Sequence, residues 1–323
     1  MKLISLFAGI GAVEMGAYRV YDDVEIIAAA EIDKFARKSY IANHNINLDH
    51  FYTDIRYMDG TKYKGMADVV SFGFPCQDYS IAGKRAGLEG QRGTLFYEGA
   101  RIVKESMPPV FIAENVKGLL SSNGGKDYNT IMSILRDELG YYVHACVLNT
   151  KDYGVPQNRE RIFLVGFLDH DHYHRFQFAP KVPLEKRLKD VLETEIDDKY
   201  YIDHKKFNYD GGDQLNHEYS SQANTVYETD GIAPTLCAFT HGYAQGYIKC
   251  ENGRIRKFTP REFLRLQYFQ ETFKQVVSDS QLYKQAGNSM SVNVLEMIFR
   301  QIEKALKNEP TGTLFDFQHG YTK

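Results

Sequence analysis

Residues 2–17, KLISLFAGIGAVEMGA, decide the fold. Leu3–Phe7 is a short unbroken apolar run, the signature of a strand buried on both faces. Gly9 and Gly11 then turn the chain, and Ala12–Val20 takes up helical spacing. A lysine near the start and a small-residue end lend the stretch a superficial likeness to a signal peptide, but Gly9, Gly11 and Glu14 interrupt the apolar run. Strand, turn and helix is the reading that fits.

The same alternation continues outward. EIIAAAE (Glu25–Glu31) repeats the strand signal and Lys34–Asn43 the helical one. ADVVSFG (Ala67–Gly73) and PVFIAEN (Pro109–Asn115) are further strands; Thr130–Gly140 has helical spacing with a glycine stop. YVHACVL and RIFLVGF supply two more strands. Near-continuous apolar strands alternating with helices predict an α/β fold with a doubly wound, mostly parallel sheet. In such sheets chemistry gathers at the strands' carboxyl ends. Ser5–Gly11, Glu31–Asp33, Gly73–Gln77 and Glu114–Asn115 all fall there. From about Pro180 the character changes: polar residues rise, and only short strand signals such as NTVYE and GYIKC remain. TPREFLRLQYF (Thr259–Phe269) then reads as a helix with Thr259 as its cap and Pro260 at its first position. A last helix follows Gly287–Ser289 and runs to about Lys307.

Composition is ordinary for a globular chain, with 43% hydrophobic and 25% charged residues. The net charge of -3 does not announce a nucleic-acid binder, so any such case must rest on local clusters. The cysteines Cys76, Cys146, Cys237 and Cys250 form no CxxC pair and have no histidine at ligand spacing. That excludes a disulfide framework and a zinc site, no metal is expected, and a reducing cytoplasm is the expected setting. No apolar run reaches the roughly 18 residues of a membrane span.

Four groups of residues carry chemical interest. Around Gly9 and Gly11 the backbone can approach a ligand closely, although the spacing departs from the G-x-G-x-x-G dinucleotide pattern. Glu31 suits ribose hydroxyls and Asp54 an adenine amino group, yet each taken alone reads better as a solvated acid. Cys76 sits on a loop after a buried strand, between Pro75 and the polar Gln77, Asp78 and Ser80, with Lys84, Arg85 and Arg92 following. Cationic surroundings favour the thiolate, the form that attacks carbon. Glu114 and Asn115 close another strand, where a carboxyl group suits proton donation or serves as a helix cap. Arg159 and Arg161 would project from one side of an extended segment, towards phosphate, polar base atoms or surface salt bridges.

Taken in order, these segments resemble the conserved blocks of the cytosine-5 DNA methyltransferase family. FAGIG resembles its cofactor loop, AEID its ribose-binding acid, GFPCQDYS its nucleophile loop, ENVKG its Glu-Asn-Val block and QNRERIFLVG its arginine block. RKFTPREFLRLQYF and QAGNSMSVNVL resemble the last two blocks, so the likeness runs from Leu3 to about Glu296. The resemblance implies the class I methyltransferase fold, with S-adenosylmethionine as donor and S-adenosylhomocysteine as product. It implies that Cys76 attacks carbon 6 of a flipped-out cytosine, Glu114 binds N3, Arg161 supports the base, Arg159 is a second polar partner and Asn115 orders the nucleophile loop. Phe7, Gly9 and Gly11 would form the cofactor loop, with Glu31, Ile32, Asp54, Leu95 and Asn288 completing the pocket. Ile32 departs from the large aromatic ring common in relatives, Tyr79 from their usual Phe and Gln270 from a frequent Pro.

The resemblance also implies a catalytic domain from residues 1–179 and 285–323, a target-recognition domain at 180–257 and a connecting segment at 258–284. Thr235-Leu236, in GIAPTL, resembles the family's recognition signature. Ser80, Thr235, Arg254 and Arg256 are expected against DNA, and Lys257, Arg261 and Arg265 extend the basic run. Double-stranded DNA is the expected partner, with a cognate restriction endonuclease acting separately, no membrane and a monomeric enzyme. An RNA cytosine methyltransferase is the nearest rival. A nicotinamide dehydrogenase has the wrong glycine spacing, and a silent DNA-binding relative would lack the catalytic residues found here.

Overall fold

A computed structural model of the chain describes residues 1–74, 95–202, 225–238 and 245–310. The apolar runs become strands β1 (Lys2–Leu6), β2 (Glu25–Ala30), β4 (Val69–Gly73), β5 (Val110–Val116), β6 (Tyr142–Asn149) and β7 (Glu160–Phe167), with the short β3 (Phe51–Tyr52) added at one edge. They form a seven-stranded sheet in the order β3-β2-β1-β4-β5-β7-β6. Pairs among β1 to β5 are parallel, and β7 is antiparallel to both its neighbours, β5 and β6. The doubly wound, mostly parallel expectation holds. The reversal of β7 is the feature that apolar patterning does not encode, because period and direction are independent.

Alternate residues feed two apolar layers, as the strand period requires. Leu3, Val69, Val110, Ile112 and Phe163 face one layer; Ile4, Leu6, Val70, Phe72, Phe111 and Ala113 face the other. Helices α1 (Ala12–Tyr18) and α8 (Val292–Lys307) cover the first face. They approach so closely at Gly16 that a Cβ there would lie 2.8 Å from Leu295 Cβ. α3 (Leu95–Ser106) and α4 (Lys126–Ser133) cover the second. α2 (Lys34–Asn43) follows β2, and α5 (His170–Arg175) follows β7. The helix read at Thr130–Gly140 starts earlier and widens into a π-turn at Ile134–Glu138.

The remaining segments build a three-stranded sheet, β8 (Val226–Glu228), β9 (Tyr247–Lys249) and β10 (Ile255–Arg256), in the order β10-β9-β8. α6 (Pro260–Leu266) starts as expected: Thr259 accepts from the Glu262 amide and Glu262 from the Thr259 amide. α7 (Asp279–Asn288) leads to α8. Leu188, Ala233, Leu236, Ile248 and Phe263 join the same buried cluster as Leu3 and Val69. Among the described residues no helix is long and apolar enough to cross a membrane.

Candidate active site at the carboxyl edge of the sheet

The loop leaving β1 takes left-handed backbone at Phe7 (φ 53°), Gly9 (φ 58°) and Gly11 (φ 86°). A Cβ built on Gly9 meets nothing within 4 Å, so this peptide borders open space. Gly11 is the opposite case: a Cβ there would fall 1.9 Å from His44 Nε2. The Gly9 amide donates to Glu31 Oε2 at 2.8 Å, and the Asp33 amide donates to Glu31 Oε1 at 2.7 Å. Burial pushes the Glu31 carboxyl above its ordinary range, and these two amides oppose that shift. Both oxygens retain lone pairs for hydroxyl donors. Ile32, beside them, is 70% exposed.

The Glu31 amide donates to Tyr52 O at 3.0 Å, which brings the end of β3 and the following Asp54 alongside. Asp54 accepts from the Arg56 amide and pairs with its guanidinium at 2.5 Å, and these contacts hold its carboxyl below the usual range. Asp33 caps α2 and meets Lys284 of α7 at 2.6 Å, while Ser39 donates to Gln285 at 2.9 Å. α7 is thereby tied to α2, and Asn288 stands exposed at its last turn. Leu95 opens α3.

Glu114 lies near the end of β5, opposite Gly73 of β4. Because β7 runs in reverse, its first residues reach this same edge, with Arg161 opposite Val116. Arg161 Nε lies 3.2 Å from Glu114 Oε1. Burial pushes the Glu114 carboxyl up; the charges of Arg161 and Arg159 pull it back. Asn115 Nδ2 donates to Phe74 O at 2.7 Å and so anchors the chain where it leaves β4. Cys76 and Ser80 lie outside the described residues.

Arg159 departs from its expected place. Its terminal nitrogens are taken up by main-chain carbonyls: Nη2 donates to Gly287 O (3.0 Å) and Ser289 O (2.8 Å), and Nη1 to Leu236 O (3.3 Å). Burial and the neighbouring Arg161 charge push its pKa down to about 9, which leaves it cationic at neutral pH. The guanidinium is a strut between main-chain carbonyls. The Thr235-Leu236 pair docks on the same block, with Thr235 Oγ1 donating to Asn158 O at 2.8 Å and the Leu236 amide to Gln157 Oε1 at 3.2 Å. Close contact continues at Gly287, where a Cβ would lie 2.2 Å from Cys237 O.

The basic run is also corrected. Arg256, expected at the DNA surface, is 2% exposed and forms a double hydrogen-bonded ion pair with Glu262 at 2.7 and 2.8 Å. A phosphate has no access to it. Arg261 donates to Phe273 O, and Arg265 pairs with Glu271. Arg254 keeps an exposed edge while stacking on Tyr201 at 3.4 Å and pairing with Asp198 at 3.2 Å. Arg256→Ala would strand a buried carboxylate, so it is expected to lower stability by about 3–5 kcal/mol. Urea unfolding would measure that, and the salt dependence of DNA binding should stay as in wild type. Sequence reasoning missed Gln157, Lys284 and Gly287; only folding shows that a glutamine, a lysine and a glycine so far apart in the chain serve one edge.

The sequence model described as C-5 cytosine-specific DNA methylase matches residues 1–304. The chain is 38% identical over 314 residues to the Type II methyltransferase M1.ScrFI of Lactococcus lactis subsp. cremoris, covering 95% of this chain and 79% of that one. It is 37% identical over 316 residues to the Type II methyltransferase M.NlaX of Neisseria lactamica, covering 94% and 97%. In fold it is similar to the S. pombe Dnmt2 methyltransferase, with a TM-score of 0.73 at 19% identity, covering 95% of this chain and 99% of the other.

Proposed function

The chain belongs to the C-5 cytosine-specific DNA methylase family, and on that premise we propose that it transfers a methyl group from S-adenosylmethionine to carbon 5 of a flipped-out cytosine in duplex DNA. The observation that carries this reading is the Glu114–Arg161 pair at 3.2 Å, one residue from the Asn115 that anchors the approach to Cys76.

Cytosine carbon 5 is a weak nucleophile and needs activation. The Cys76 thiolate adds to carbon 6, and the electrons of the 5,6 double bond become enamine-like at carbon 5. Glu114, protonated, donates to N3 and offsets the charge that enters the ring. Arg161 keeps the carboxyl oriented and presents its own N–H groups towards the base carbonyl. When bound, S-adenosylmethionine supplies an electrophilic methyl group and leaves as S-adenosylhomocysteine. After carbon 5 has accepted the methyl, loss of its proton to a base restores the double bond and expels the Cys76 thiolate.

The loop fits such a cofactor. Gly9 backs open space, Glu31 presents a fixed carboxylate for ribose hydroxyls and exposed Ile32 offers an apolar surface to an adenine. Phe7, Gly11, Asp54, Leu95 and Asn288 complete the proposed pocket. Asp54, already paired to Arg56, keeps lone pairs to accept from an amino group. A stacked base cannot present carbon 6 to a thiol, so flipping is required and costs a few kcal/mol. Residues 180–257 are proposed to read the neighbouring bases, with Ser80, Thr235 and Arg254 near the duplex. Arg159 positions the site from behind. The two relatives above carry Type II names, so the proposed setting is a cytoplasmic monomer that protects DNA from a separately acting endonuclease.

Methyl transfer from labelled S-adenosylmethionine to unmethylated duplex DNA, run beside transfer RNA, tests the reading. Label on cytosine carbon 5 of DNA supports it. Label on RNA alone would replace the substrate and keep the mechanism, and no label on either would defeat the proposal.

A further inference from the structure

Beneath the glycine loop lies a buried group that the chemistry above does not use. His44, at the end of α2, turns its imidazole under the loop, with Nε2 3.0 Å from Ile10 O. The ring packs against Tyr40 at 4.6 Å and Tyr18 at 5.9 Å between centroids. Since a carbonyl oxygen only accepts, Nε2 carries the hydrogen and donates it. Nδ1 is buried and has no partner. Burial pushes the pKa of the ring down against the opposing pull of Glu14, which fits a neutral ring protonated on Nε2 alone.

The loop needs holding from outside. Phe7 is a left-handed residue without glycine's freedom, and Gly9 and Gly11 repeat that conformation. Two side chains hold nearby peptide groups. Glu31 holds the Gly9 N–H, and His44 holds the Ile10 carbonyl. Glu31 is placed to touch the ligand itself. His44 is buried instead, its imidazole filling the space that a Gly11 side chain would take.

We propose that His44 is a positioning residue for the cofactor loop, fixing the Ile10 carbonyl through Nε2–H so that residues 9–11 keep the shape that receives S-adenosylmethionine. The proposal rests on the reading of that loop as the cofactor site. It separates His44 from the catalytic residues: affinity for the cofactor depends on it, while the chemical step and DNA recognition do not.

The test compares wild type with His44→Ala, which removes the donor, and His44→Gln, whose amide nitrogen reaches the place of Nε2. S-adenosylhomocysteine binding is read by titration calorimetry, and KM for each substrate and kcat by methyl transfer. His44→Ala is expected to weaken S-adenosylhomocysteine binding and raise KM for S-adenosylmethionine about tenfold, the worth of one hydrogen bond. Its kcat and its KM for DNA should stay within about twofold of wild type, and His44→Gln should recover most of the lost affinity. Unchanged affinity in His44→Ala, equal losses in kcat and KM for DNA, or a folded His44→Gln that recovers nothing would each overturn the proposal. A second measurement needs no variant: nitrogen NMR of the wild-type imidazole should show the Nε2–H tautomer, and the Nδ1–H tautomer would overturn it equally. Wild-type protein that binds no S-adenosylhomocysteine at all would instead defeat the cofactor reading, and this proposal with it.

Discussion

Cys76→Ala is expected to reduce methyl transfer to background, a loss of about 10⁴-fold or more, because nothing else can open the 5,6 double bond. Binding of S-adenosylhomocysteine should survive, since the glycine loop and Glu31 lie at the ends of different strands from the nucleophile. The two effects can be measured apart. Duplex DNA carrying fluorine at carbon 5 of the target cytosine provides a chemical readout: fluorine cannot leave as a cation, so the adduct cannot resolve. Wild-type protein with S-adenosylmethionine should form a denaturant-resistant complex with that DNA, and the alanine variant should form none. A variant that methylates at the wild-type rate would remove Cys76 from the mechanism.

Glu114→Gln carries the second large effect, a drop of about 10²–10⁴-fold in turnover. Glutamine can still offer an N–H to N3 but cannot hand over a proton. Its pH profile is the sharper diagnostic. Burial pushes the wild-type carboxyl up, with Arg161 and Arg159 opposing, so the protonated form persists to higher pH than on an exposed glutamate. As pH rises through that raised value the acid is lost and the wild-type rate should fall. The amide has no such proton to lose, so the residual rate of the variant should lack that alkaline limb. A limb that persists in the variant would assign it to another group.

Much of this was readable before folding, for identifiable reasons. Strands β1, β2, β4 and β5 are buried on both faces, so their apolar runs stand out, and turn residues mark their ends. That placed Glu31 and Glu114 at one edge. The direction of β7 was not readable, yet it alone brings Arg161 to Glu114. α3 and α7 went unread, and in α7 the polar residues blur the helical period. Arg256 misled because a charged residue beside arginines and a lysine looks solvated until folding brings Glu262 against it. His44 gave no signal, since a lone histidine before a turn has no partner in sequence.

The strut at Arg159 bears on how such an enzyme changes its target. Its contact with residues 180–257 goes to a main-chain carbonyl, that of Leu236, and the Ala233 backbone joins Pro156 and Asn158 in the same way. Every amino acid brings a carbonyl to such a contact, while the Ala233 N–H contact excludes only proline. The joint also uses side chains, since Thr235 Oγ1 donates to Asn158 O and Ala233 and Leu236 are buried in the core. A segment grafted here would have to keep Ala233, Thr235 and Leu236 as well as the backbone path at these residues. On the proposal that residues 180–257 read the target, a change of target would fall on the rest of those residues and leave this joint in place.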